Sequence, residues 1–385
     1  MPETDRKYRI FISAAEPSAE AHCAGLITAL RQTTCDIEFV GVGGAKMADA
    51  GCKLLQSTAD NAAMIYNAFA HIARFYKLIM RITAYLKSNK VDLVIVCDSP
   101  AFNFHIAKAA KKLGIKTLFY VAPQLWAWGG WRISKLRKYC DKLCCILPFE
   151  QNWFSEKGVD ATFVGNPLLD GPAFESAGGK TFAEFEPKNS HFALLPGSRS
   201  AEINSLWRPM QQIALRLKRK YPNAAFTAAA VSAEKKEVLR SFQIPNFKCR
   251  YIIGSVGEVA RAADFTIVAS GSATLEVAAA GCPMVIMYQS NKILWHLLGR
   301  HLLKTKYLSL VNILAERELV PEFMPYFDSI EPIVETIERL LEDKSQLIRI
   351  SGELVKLAEP LRRGDAAKNV AKITAEMLEG VRSSP

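Results

Sequence analysis

Short apolar runs separated by helical stretches set the architecture of this chain. Tyr8–Ala14 reads as a buried strand, followed by a polar turn and a helix from about Ser18 to Gln32. Ile37–Val42, Asp92–Cys97, Thr117–Val121, Lys142–Ile146 and Ala161–Val164 continue the series. Apolar runs this short, with helical periodicity between them, predict a parallel sheet. Gly171 to Lys188 is rich in Gly, Pro and charge and breaks the pattern. A second series follows in Phe192–Leu195, Ala224–Ala229, Lys248–Ile252, Phe265–Val268 and Met284–Met287, with helices such as Ile203–Lys220 and Gly257–Ala262 between them. From Glu331 to Gly380 the pattern is helical throughout.

The expected organisation is therefore α/β. An N-terminal Rossmann-like domain spans residues 1–170, a linker 171–188 and a second Rossmann-like domain 189–360. A terminal helix in 361–385 packs back towards the first domain. The length of 385 residues agrees, because one ordinary core does not grow so large. Two such halves in tandem, facing a central cleft, are the architecture of GT-B glycosyltransferases.

Charge sharpens the picture. The formal net charge is +11, and the segment from Asn61 to Cys140 holds thirteen Lys and Arg against only Asp92 and Asp98. The whole excess thus sits in one fifth of the chain and calls for an anionic partner. Two acid-poor stretches look amphipathic. Met64 to Leu86 sets Phe69, Ile72, Phe75, Leu78, Ile79 and Ile82 on one face, with Arg74, Lys77 and Arg81 beside them. Tyr288 to Tyr307 mixes Trp295 and leucines with Lys292, Arg300, Lys304 and Lys306. A basic, aromatic-bearing helix suits an anionic membrane interface; a core helix with a basic outer edge is the alternative. Met1–Lys7 is charged and has no signal-peptide core, and no apolar run is long enough to span a bilayer. The expected location is cytoplasmic, peripheral on the inner face of the membrane. Nine cysteines without paired spacing read as reduced, buried thiols, and no metal site is expected.

Candidate chemistry lies where strands end. Leu195-Pro196-Gly197-Ser198-Arg199 precedes a helix, so free N–H groups and an arginine could hold a diphosphate. Ser270-Gly271-Ser272-Ala273-Thr274-Leu275-Glu276 again joins strand to helix. Its small residues allow close approach to the backbone, and Glu276 could accept from a ribose diol. Asp98, in Asp98-Ser99-Pro100-Ala101-Phe102-Asn103, is placed to deprotonate an acceptor hydroxyl or to cap a helix beginning near Asn103. Pro123-Gln124-Leu125-Trp126-Ala127-Trp128 with Arg132 could grip a phosphorylated, acylated sugar or be a packed loop. Asn312, in a loop running to Glu322, needs partners if buried. Asp-x-Asp is absent, so a metal-bridged diphosphate is not indicated. Gly41-Val42-Gly43-Gly44 reads as a tight turn.

Together with Ala15-Glu16-Pro17-Ser18, Val42 to Met47 and Leu147-Pro148-Phe149-Glu150, these motifs resemble lipid-A-disaccharide synthases in order and spacing from about Tyr8 to Glu322. The resemblance implies an inverting glycosyltransferase that condenses UDP-2,3-diacylglucosamine with 2,3-diacylglucosamine 1-phosphate, giving lipid A disaccharide 1-phosphate and UDP. It further implies Asp98 as general base, Arg199 and Ser198 at the diphosphate, and Glu276 with Gly271, Ser272, Ala273 and Thr274 at the nucleotide. Asn312 becomes a donor contact, and Glu16, Ser18, Gln124, Trp126 and Arg132 complete the substrate set. No cofactor is implied; the implied partners are the two lipid substrates and anionic inner-membrane lipids, without nucleic acid, and a homodimer is left open. The chain departs from the family pattern at Ala15, Ala19, Ala101, Asn166 and Val311. Those departures keep three alternatives in view: a UDP-sugar epimerase of the same fold, another lipid-linked sugar transferase, and a non-catalytic membrane-binding relative.

Overall fold

The computed structural model describes residues 7–33, 36–57, 68–170, 174, 178–292, 295–296, 305–362 and 364–382; within helices, the side chains of 68–74 and 381–382 are not described. The chain divides into two compact units. One is Met1–Pro167 with Arg363–Pro385, and the other is Leu168–Arg362.

The first unit holds a parallel seven-stranded sheet: β1 (Tyr8–Ala14), β2 (Ile37–Gly43), β3 (Lys53–Ser57), β4 (Leu93–Cys97), β5 (Lys116–Tyr120), β6 (Lys142–Cys145) and β7 (Ala161–Phe163). The strand order is β3-β2-β1-β4-β5-β6-β7. Strand β1 therefore pairs with both β2 and β4, with Ile10 opposite Phe39 on one side and Leu93 on the other. The apolar runs are buried on both faces, as a helix-covered parallel sheet requires. On one face α1 (Pro17–Arg31) packs against the C-terminal helix Ala366–Arg382, and Val370, Ala371 and Leu378 complete that core. Gly41–Gly44 is not a tight turn. Gly41 and Gly43 lie inside β2, and a Cβ on Gly41 would strike the Ile12 main chain of β1.

The second unit repeats the plan with β8 (His191–Leu195), β9 (Ala225–Ala230), β10 (Arg250–Ile253), β11 (Phe265–Ala269), β12 (Met284–Met287) and β13 (Glu322–Phe323), in the order β10-β9-β8-β11-β12-β13. Every pairing is parallel. Residues 178–188, read as part of a linker, dock on this unit. The Lys180 amide donates to Ser351 Oγ (2.6 Å), Lys180 Nζ to the Arg261 carbonyl (2.6 Å), and Phe182 is buried.

The amphipathic stretch after residue 64 splits its apolar side chains. Helix α3 (Ala68–Ser88) sends Ile82 and Leu86 into the core, where each contributes about 1.5–3 kcal/mol. Phe75 turns inward, edge-on to Phe102 at 5.4 Å. Tyr76 (53% exposed) and Met80 (64%) face outward, one helical turn apart, beside exposed Lys77 and Arg81. Among the described residues, Phe75, Leu78, Ile79, Ile82 and Leu86 of the stripe read from the sequence pack into the core, which leaves Tyr76 and Met80 as the exposed apolar side chains of this helix. Met64 and Ile65 fall outside the described residues, as do 293–294 and 297–304 of the second stretch. Among the described residues no helix is long and apolar enough to cross a membrane, and eight cysteines are free thiols.

Candidate active site

In an open parallel sheet, ligands bind beyond the carboxyl ends of the strands where strand order reverses, because the loops of the two central strands diverge there. Each unit has one such point. In the first it lies between β1 and β4, and in the second between β8 and β11. Four of the sequence motifs leave those four strands.

At the β1/β4 point, Glu16 follows β1 and Asp98 follows β4. The two loops are tied directly, since Ser99 Oγ donates to Glu16 Oε1 at 3.1 Å. Asp98 does not cap a helix near Asn103. Helix α4 (Pro100–Lys112) begins earlier, because Pro100 pre-sets the first helical turn, and Ser99 is its cap residue. The cost is a main chain with φ of 52° at Asp98 and 43° at Ser99, a region that non-glycine residues occupy only when their surroundings hold them there. The brace is Asn103, which is fully buried. Its Nδ2 donates to the carbonyls of Cys97 (2.9 Å) and Asp98 (2.7 Å), and its Oδ1 accepts from Ser13 Oγ (2.8 Å). The Asp98 amide in turn donates to the Tyr120 carbonyl of β5 (3.0 Å). The Asp98 carboxyl is left half-buried at the sheet edge. Ser18 lies exposed in the first turn of α1. Nearby, the His22 imidazole is pushed down to about 4 by burial, with Lys46 adding to the effect, and stays neutral at physiological pH.

The loop after β5 is divided between scaffold and surface. Trp126, expected to meet substrate, is only 7% exposed, and its Nε1 donates to Glu150 Oε1 at 2.9 Å. The exposed tryptophans are Trp128 (46%) and Trp131 (67%). Arg132 lies over the Trp128 ring at 4.3 Å, a cation–π contact. Gln124 is exposed.

Glu150 is marked in the sequence only by its place in a Leu-Pro-Phe-Glu string. It is buried at the start of α6 (Pro148–Ser155), and it also accepts from the amides of Leu147 (3.1 Å) and Ile146 (3.3 Å). Burial pushes its carboxyl up to about 7 against those three bonds. A carboxyl whose folded value exceeds its unfolded one stabilises most when protonated, so this contribution is lost as pH rises from about 4.5 through about 7. Relative to Glu150→Gln, the wild type is expected to lose about 1 kcal/mol of stability between about pH 6 and pH 8. Urea denaturation of both proteins at the two pH values measures this, and parallel pH profiles would contradict it. The difference cancels His22, whose lowered value acts in the opposite sense below about 6.5.

At the β8/β11 point, Pro196–Arg199 leads into α7 (Ser200–Lys220). Two of the N–H groups at this turn are occupied. Glu202 Oε2 accepts from the amides of Ser198 (3.0 Å) and Arg199 (3.1 Å), and its other oxygen lies 3.6 Å from the Arg199 guanidinium. This is a capping box, and its signal was legible as an acid three residues after the helix cap. Gly197 has φ of 101°, and a Cβ there would collide with the Glu202 carboxylate, so only glycine allows the cap to close. The Arg199 side chain extends outward, 70% exposed. Across the reversal, Gly271, Ser272 and Ala273 are open to solvent or half-buried. Thr274 is buried and closes the turn with Oγ1 on the Gly271 carbonyl (2.7 Å). Glu276, in α10 (Ala273–Ala279), is pushed up to about 7 by burial, opposed by the amide of Gly257.

Asn312 is not available to a ligand. It is fully buried; its Nδ2 donates to the Val320 carbonyl and Glu322 (both 2.9 Å), and its Oδ1 accepts from the amides of Leu319 (2.9 Å) and Val320 (3.1 Å). Both donors and both lone pairs of the amide are used inside the 309–322 loop.

A lipid-A-disaccharide synthetase family model matches residues 10–373. The chain is 34% identical to the lipid-A-disaccharide synthase of Myxococcus xanthus over 322 residues, covering 82% of this chain and 83% of that one. It is 31% identical to that of Geobacter sulfurreducens over 375 residues, covering 96% and 97%. Among solved structures, the UDP-GlcNAc 2-epimerase of Neisseria meningitidis bound to UDP-GlcNAc is similar with a TM-score of 0.61 at 12% identity, covering 97% of this chain and 100% of that one. Acinetobacter baumannii MurG gives 0.58 at 15%, covering 96% and 100%. These distant structures establish the GT-B type of fold, two parallel sheets with alternating helices. With sequence identity above 30% over nearly the whole length, the chain belongs to the lipid-A-disaccharide synthase family and is a glycosyltransferase of lipid A biosynthesis.

Proposed function

We propose that this protein transfers 2,3-diacylglucosamine from UDP to 2,3-diacylglucosamine 1-phosphate with inversion, giving the β-1,6-linked disaccharide 1-phosphate and UDP. The observation that carries this reading is the Asp98 turn, a carboxylate held in strained backbone at a strand reversal by the buried Asn103. Asp98 takes the proton of the acceptor hydroxyl as that oxygen attacks the anomeric carbon. The bond from that carbon to the diphosphate oxygen breaks on the opposite face, and UDP leaves with the electron pair. In the second unit, Arg199 meets the diphosphate charge, Glu276 the ribose, and the Ser270–Thr274 turn the nucleotide. Because Glu202 already occupies the Ser198 and Arg199 amides, the diphosphate relies on the guanidinium rather than on those two N–H groups.

Both substrates carry acyl chains, so the protein works at a lipid surface. Exposed Tyr76 and Met80 beside Lys77 and Arg81, and Trp128 and Trp131 beside Arg132 and Lys135, supply apolar side chains and cationic ones. They support peripheral contact with anionic lipids at the cytoplasmic face of the inner membrane.

The test is incubation with both lipid substrates, following UDP release and disaccharide by mass. Stoichiometric disaccharide and UDP are expected. UDP binding without disaccharide, or epimerisation of UDP-GlcNAc, would overturn the reading.

A further inference from the structure

We propose that Glu150 is a positioning residue for the acceptor, holding the 121–128 loop in its binding shape through the Trp126 indole. The inference rests on the reading of the first unit as the acceptor half. Strand β5 lies next to β4, and its last residue, Tyr120, accepts the amide of Asp98. The loop that follows therefore starts beside the proposed base. It begins in strained backbone, with φ of 62° at Val121, and carries exposed Gln124 and Trp128. Within it, Leu125, Trp126 and Ala127 are buried.

The Trp126 ring is fixed from two sides. Its N–H donates to Glu150, and the ring forms a T-shaped pair with Phe149 at a centroid distance of 5.0 Å. Both partners come from the start of α6, the helix that follows the next strand, so one contact joins two neighbouring loops at the carboxyl edge of the sheet. Packing alone would be served better by an apolar side chain, because a buried carboxylate costs free energy even when hydrogen-bonded. What the carboxylate adds is direction. Its remaining bonds, to the amides of Ile146 and Leu147, hold it on the helix start and aim one oxygen at the indole. The ring orientation then sets where Gln124 and Trp128, two residues to either side, stand.

The experiment is steady-state kinetics on the full chain for Glu150→Gln, Trp126→Phe and the double variant, with thermal melts as controls. Each single change is expected to raise KM for the diacylglucosamine 1-phosphate about tenfold and leave KM for the UDP-sugar unchanged. The double variant is expected to be no worse than the poorer single one, because both break the same network: phenylalanine has no N–H to donate, and glutamine, with a single oxygen, cannot accept from the indole and from the Ile146 and Leu147 amides together. A role confined to folding would lower the melting temperature without separating the two KM values. Unchanged acceptor KM in both single variants, or effects that multiply in the double one, would overturn the inference. If Glu150→Gln does not fold, Trp126→Phe alone decides by the same split between the two substrates. A wild type that makes no disaccharide fails the functional reading itself and takes this inference with it; an active wild type with unmoved variants fails the inference alone.

Discussion

Replacing Asp98 with asparagine is expected to lower kcat by about 10²–10⁴-fold, the usual worth of a positioned general base, with UDP affinity and melting temperature unchanged. Asparagine is the right probe for a backbone reason. Asp98 sits at φ of 52°, a region that Asn and Asp enter far more readily than other side chains with a Cβ. Alanine would remove the carboxylate and strain the turn together, so its effect could not be assigned. The brace from Asn103 binds the Asp98 carbonyl rather than its side chain, so the turn survives in the asparagine variant. UDP affinity is expected to hold because the proposed nucleotide contacts, Arg199 and Glu276, belong to the other unit. Steady-state kinetics with both substrates and UDP titration by calorimetry check all three quantities. A kcat within a factor of three of wild type would show that Asp98 is not the base.

Asn312→Ala is expected to destabilise the second unit by about 3–5 kcal/mol, because four buried hydrogen bonds lose their partner at once and the groups left behind are desolvated. In a unit of this size that corresponds to a fall of about 10 °C in its melting temperature. The Leu319 and Val320 amides and the Val320 carbonyl have no solvent to turn to, since Leu319 and Val320 are themselves buried. Glu322 keeps its bonds from the amides of Leu308 and Ser309 (2.9 and 3.1 Å), so the loop loosens from one end only. Differential scanning calorimetry reads the shift. If Asn312 instead contacted the donor sugar, the variant would melt near the wild type and lose affinity for the UDP-sugar; that result would return the residue to the binding site.

How much of this was legible beforehand depended on how local the cause was. Strand β1 and strand β12 are read to the residue from their apolar runs, and most other strands to within one or two. Strand β3 (Lys53–Ser57) and strand β13 (Glu322–Phe323) leave no such mark in the sequence. Both are short, with polar residues among the apolar ones, and β13 pairs over only two positions. The motifs at the ends of β1, β4, β8 and β11 were legible because small and capping residues break the apolar pattern where a strand meets a helix. That they form two pairs was not, because pairing follows from strand order, and strand order is set by contacts distant in sequence.

The polar side chains show the same division. The sequence by itself determined that Asn312, if buried, must find partners, and that an acid follows Arg199 by three residues. Only the tertiary structure decided that the partners of Asn312 are three backbone groups of its own loop and the Glu322 carboxylate. It likewise decided that Glu202 takes the amides of Ser198 and Arg199, and that Trp126 turns in to Glu150 while Trp128 turns out. The physical reason is that residue type states how many hydrogen bonds a buried group must make. Which atoms supply them depends on what the folded chain brings within about 3 Å, and that is a property of packing rather than of pattern.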